Sequence, residues 1–186
     1  MNITVKDVDG FIPIYDLDYQ NYYPQNVVGV TDKEEKKQGI IDKLMKMDSV
    51  PENSFFCWSK RKEKDGITYE GFYHLYLLKD IDKESKIGND EIMKAEVLFN
   101  KYINEPEIKI KFNESGSKKW SRMTEKAAKN NKNFIALVID FEVYSCPSVI
   151  TPINGGETFI SGFNNKNEAE KIVERIEAMK NRNSNK

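Results

Sequence analysis

The stretch 55–78, FFCWSKRKEKDGITYEGFYHLYLL, holds two aromatic, β-favouring runs, Phe55 to Ser59 and Ile67 to Leu78, separated by a charged segment that ends in Asp65-Gly66. Glycine accepts the positive φ that a tight turn requires, so Asp-Gly between two such runs signals a β-hairpin. This hairpin is read as the centre of the scaffold.

Upstream of it, Thr31 and Glu34 have the spacing of a capping box, and Ile40, Ile41, Leu44 and Met45 repeat on one helical face. A first helix is expected over about 32–47, ending before Pro51. Further upstream, Ile3, Val5, Phe11, Ile12, Ile14 and Leu17, interrupted by Gly10 and Pro13, read as one or two short edge strands, followed by an apolar run from Val27 to Val30.

Downstream, Asn89, Asp90 and Glu91 place acidic groups where a helix N-terminus favours them, and Ile92, Ala95, Phe99, Tyr102 and Ile103 form a stripe behind them. A second helix is therefore expected, closed by Pro106. Ile108, Ile110 and Phe112 alternate as a strand, and Ser117 caps a third, lysine-rich helix through Trp120, Met123, Ala127 and Ala128. Phe134 to Tyr144 reads as the longest strand, with Ile135, Leu137, Ile139, Phe141 and Val143 on one face and Asp140 and Glu142 on the other. A last strand, Thr158 to Gly162, leads into a helix opened by Asn165 and Glu168 and striped by Ala169, Ile172, Val173, Ile176 and Met179.

The order does not alternate as a doubly wound parallel sheet would. It predicts a single α+β domain over residues 1–181, a mainly antiparallel sheet of about six strands carrying about four helices, with 182–186 as a frayed polar tail. The 186 residues are 39% hydrophobic, enough for a core without disulfide or metal staples. The N-terminus lacks the basic and apolar segments of a signal peptide, and no apolar run is long enough to span a bilayer. A soluble, cytoplasmic protein with reduced thiols and no membrane contact is the expectation.

One histidine, His74, and two cysteines, Cys57 and Cys146, leave little material for a zinc cluster or a histidine-based acid-base pair. His74 among aromatics reads as a structural sheet residue and Cys57 as a small core residue beside Trp58. Asp140 and Glu142, two apart on one expected strand face, together with Glu107 and Lys109, form the skeleton of a metal-dependent nuclease or phosphodiesterase site. The other acid of such a site normally precedes that strand across a hairpin, whereas Asp80 is separated from Glu107 by a whole expected helix. No cofactor or metal is assigned.

The charges nearly cancel, at a formal −1, so partner binding must come from local patches. Two are visible. Tyr15, Asp16, Asp18, Tyr19, Tyr22 and Tyr23 combine amphipathic aromatics with negative charge, a composition suited to a protein interface. Lys60, Arg61 and Lys62 at the expected hairpin tip, and Lys118, Lys119, Trp120, Arg122 and Lys126 on the third helix, have the ingredients of a phosphate-contact surface.

Taken from sequence alone, the favoured reading is a non-enzymatic binding protein. It would be an accessory or inhibitor protein of a bacterial mobile element, directed at a nucleic-acid-processing machine. The nuclease and a direct DNA- or RNA-binding module are the alternatives. A protein partner is expected, with a homodimer and nucleic-acid contact through the basic patches left open.

Overall fold

A computed structural model describes residues 12–13, 27–60, 71–79, 86–102, 104–129, 134–163 and 165–183 of the chain. Its architecture is α+β, with nine strands, three α-helices and two short 3-10 turns among those residues. The contacts divide the chain into two compact units, one made of 1–80 and 136–146, the other of 81–135 and 147–186. Nothing in the composition announces this division.

The first unit is a six-stranded sheet built from β1 (Ile12–Pro13), β2 (Val27–Thr31), β3 (Ser54–Ser59), β4 (Tyr73–Lys79), β7 (Leu137–Ile139) and β8 (Glu142–Ser145). The order is β1-β2-β4-β3-β8-β7, so the antiparallel pair β3–β4 expected at the centre lies there. Its Asp65-Gly66 turn lies outside the described residues. Alternation along β3 sends Phe56 and Trp58 to one face and Cys57 to the other. Phe56, Trp58 and Leu75 pack with Ile40 and Leu44 of α1 (Lys37–Leu44). Cys57 and Tyr76 pack on the opposite face with Val27, Val30 and Val143. The Trp58 indole N–H donates to the Lys37 carbonyl at 2.9 Å, fixing helix to sheet. The Thr31 hydroxyl accepts from the Lys33 N–H, and a 3-10 turn at Glu34–Lys36 precedes α1, which is shorter than the expected 32–47.

The expected long strand 134–144 is a hairpin instead. Asp140 (φ 50°) and Phe141 (φ 63°) form a two-residue turn that folds β7 back onto β8, pairing Ile139 with Glu142. No glycine or asparagine marks this turn, so sequence periodicity runs straight through it.

The second unit is a three-stranded antiparallel sheet, β5 (Ile92–Asn100), β6 (Glu105–Phe112) and β9 (Glu157–Ile160), in the order β5-β6-β9. The helix expected from Asn89 is therefore β5. Its acidic start forms only a 3-10 turn at Asn89–Glu91, where Glu91 accepts from the Gly88 N–H at 2.8 Å. Pairing with β6 along the length of β5 outweighs that local helix signal. Ile108, Ile110 and Phe112 face inward as expected.

Helix α2 (Glu114–Lys129) begins earlier than expected: the Asn113 carboxamide, not Ser117, caps it by accepting the Gly116 N–H at 2.9 Å. Helix α3 (Lys166–Asn183) buries Ala169, Ile172 and Ile176, and Asn165 accepts the Glu168 N–H at 3.0 Å, as its spacing implied. It runs into the expected tail, of which residues 184–186 lie outside the described residues. Two sheets and three helices thus replace the single sheet with four. No described helix is long and apolar enough to cross a membrane.

Candidate functional site

The carboxylates of the nuclease reading are divided between the two units. Asp140 sits in the β7–β8 turn rather than on a strand face shared with Glu142. Glu142 is held by lysines, at 2.5 Å from Lys60 Nζ and 4.0 Å from Lys37 Nζ. Glu107 and Lys109 belong to the other unit, where Glu107 accepts from the Asn100 amide at 2.9 Å and Lys109 pairs with Glu157 at 2.9 Å. His74 is buried in β4, its backbone N–H donating to Ser59 Oγ at 2.9 Å. Cys57 is buried and its thiol is pushed up to about 11 by desolvation, which makes it a core residue rather than a nucleophile.

Of the two expected patches, the segment Tyr15, Asp16, Asp18, Tyr19, Tyr22 and Tyr23 lies outside the described residues, as do Arg61 and Lys62. Lys60 is engaged with Glu142. The third-helix residues are on α2, and the fold sorts them. Lys119 turns inward and bonds Glu91 at 2.7 Å and the Lys86 carbonyl at 3.1 Å. Trp120, grouped with the lysines in the expected phosphate-contact surface, packs instead on Phe112 with ring centroids 5.7 Å apart, and its Nε1 is buried. Lys118, Arg122, Lys126 and Lys129 remain on the exposed face. Lys118 pairs with Glu114 at 2.6 Å and Lys129 with Glu125 at 2.7 Å.

A second candidate surface, missed because 89–103 was read as a helix, is the free edge of β5. In an antiparallel strand alternate residues turn their N–H and C=O to opposite sides. Ala95, Val97 and Phe99 turn theirs away from β6, as the Ala95 N–H shows by donating to Glu177 of α3 at 3.1 Å. Lys180 of α3 donates to the Met93 carbonyl at 2.7 Å and pairs with Glu177 at 2.7 Å. Side chains of α3 thus cap the first half of the edge. Among the described residues, the outward backbone groups of Val97 and Phe99 carry no such cap. Around them apolar side chains face solvent: Leu98 is 38%, Phe99 50% and Tyr102 98% exposed. Val97 between Ala95 and Phe99 was the available signal, since a helical stripe does not require an apolar residue there.

Comparison with known proteins bears on these surfaces. Residues 74–178, more than half of the chain, match the family described as SecDF, P1 head subdomain. Protein translocase subunit SecD of Calditerrivibrio nitroreducens is 31% identical over 133 residues, 71% of this chain and 24% of that protein. The SecD of Rhodothermus marinus is 34% identical over 99 residues, 53% of this chain and 15% of that protein. The chain thus spans about a quarter or less of the length of these relatives. A solved structure of SecDF, described as a membrane component that enhances protein export, aligns over 48% of this chain and 39% of that one at 24% identity and a TM-score of 0.44.

These matches correct the functional expectations. An accessory or inhibitor protein of a mobile element, a nuclease and a nucleic-acid-binding module are all displaced by relatives that are protein translocase subunits. The expectation of a cytoplasmic protein without membrane contact is displaced by the same relatives, which are protein translocase subunits. By its match over residues 74–178 the chain belongs to the SecDF P1 head subdomain family.

Proposed function

We propose that this chain serves protein export at a membrane, as part of a translocase-associated assembly, and that it contacts extended polypeptide through the open half of the β5 edge. The role in export is carried over from relatives named as protein translocase subunits. The uncapped Val97–Phe99 edge, beside exposed Leu98, Phe99 and Tyr102, is the observation that supports the contact. An extended segment supplies the alternating partners that the N–H and C=O groups of such an edge lack, and main-chain pairing of this kind tolerates varied sequences. Exposed aromatic and aliphatic side chains add contact area without demanding a particular partner residue. Export of many different polypeptides calls for that tolerance. The reading requires no catalytic group.

Amide hydrogen exchange of the chain, with and without a reduced and alkylated polypeptide that stays unfolded, tests this. Protection of the Val97 and Phe99 amides on addition is the expected result. Exchange at those two amides that is unchanged at saturating polypeptide would remove the edge from the reading.

A further inference from the structure

Helix α2 divides its surface sharply. Gly116, Thr124 and Ala127 are buried, with Trp120 and Met123 half-buried beside them, whereas Lys118, Arg122, Glu125, Lys126 and Lys129 recur at helical spacing on the exposed side. Two ion pairs at the ends of that stripe, Lys118 with Glu114 and Lys129 with Glu125, are satisfied within the helix. Arg122 and Lys126, one turn apart between them, have no carboxylate partner among the described residues. Arg122 also stands between two shallow grooves, one lined by Glu114, Ser117, Lys118, Ser121 and Asn154, the other by Glu125, Lys126 and Lys129, with Glu114 and Glu125 themselves engaged by Lys118 and Lys129. The helix therefore presents an uncompensated pair of cations at its middle, on a chain whose formal charge is −1.

We infer that this face of α2 rests on an anionic membrane surface, with Arg122 and Lys126 contacting lipid phosphate. The inference rests on the proposed placement at a membrane, but not on polypeptide binding at β5. A basic helical face gains roughly 1 kcal/mol per cation near an anionic bilayer, which corresponds to about fivefold in partition for each. Guanidinium and ammonium groups on the exposed face of α2 need no rearrangement to reach phosphates in a plane. Nucleic acid fits the same face less well. The aromatic side chain that would stack on bases, Trp120, is turned inward against Phe112, and the stripe is a single helical turn of free charge rather than a groove-tracking surface.

The test is co-sedimentation of the chain with vesicles of phosphatidylglycerol mixed with phosphatidylcholine, against phosphatidylcholine alone, at low and at high salt. Binding to the anionic vesicles only, released by salt, is expected. Arg122→Glu with Lys126→Glu should lower it by at least about tenfold. Arg122→Gln with Lys126→Gln, which adds no repulsion, should lower it less but measurably. Lys101→Glu with Lys171→Glu alters net charge equally at exposed positions elsewhere and should leave most of the binding intact. Circular dichroism of each variant checks that the fold is kept. No binding of the parent chain at low salt overturns the inference, as does equal loss in the Lys101/Lys171 variant. Binding to duplex DNA without binding to vesicles also overturns it. Because no polypeptide is present, this result is independent of the β5 experiment.

Discussion

At the scale of single residues the chain carries local costs that can be measured. Phe141 holds a φ of 63° in the second position of a two-residue hairpin turn, where glycine is the unstrained choice, and its ring is 85% exposed. Phe141→Gly should therefore stabilise the chain by about 0.5–1 kcal/mol, read as a higher urea midpoint at unchanged slope. A lower midpoint would mean that the ring packs on something. Glu91 is the reverse case, a polar group held by its surroundings. Burial alone pushes its carboxyl up, but the Lys119 ammonium and the Gly88 N–H outweigh that and hold it below the usual carboxylate range. A carboxyl lowered in the folded state adds stability above its unfolded value near 4.5, and that stability fades as pH falls through the lower folded value. Glu91→Gln should cost about 1–3 kcal/mol at pH 7 and less below pH 4, so the variant's acid-unfolding curve is flatter. Parallel pH-dependences would contradict this. Residues whose environment is set by their immediate neighbours were legible from sequence: Cys57 and His74 read as structural, and both are buried.

Elements are where local signal and tertiary context compete. The start of α2 packs so closely on the Asn89–Glu91 turn that a Cβ on Gly116 would meet the Glu91 carbonyl oxygen at 2.8 Å and its Cβ at 2.7 Å. Gly116→Ala raises helix propensity, yet it should destabilise by about 1–3 kcal/mol because backbone, not a flexible side-chain end, must move. Thermal unfolding checks this, and a raised midpoint would show that the turn yields. The helices α1, α2 and α3 were visible in sequence through their 3.6-residue apolar periodicity, and at α3 the expected cap agrees with it. The strand β5 was not. Ala95 and Phe99, four residues apart, satisfy both a helical and an alternating pattern, and only the partner strand β6 selects between them. The β7–β8 hairpin escaped for a related reason: its turn residues, Asp140 and Phe141, are not the glycine and asparagine that announce such a turn.

For the whole molecule, sequence by itself determined the α+β class, the central β3–β4 pair and three helices. Each of these depends on periodicity, capping or composition, which are local or additive properties. It also marked α2 as basic. Only the tertiary structure decided that Lys119 and Trp120 turn inward while Arg122 and Lys126 stay outward, that Glu142 is neutralised by Lys60, and that β5 offers half an edge because α3 caps the rest. Those outcomes join residues many positions apart, such as Ala95 with Glu177, and a pairing across that separation is set by how the elements pack, which no window of sequence contains.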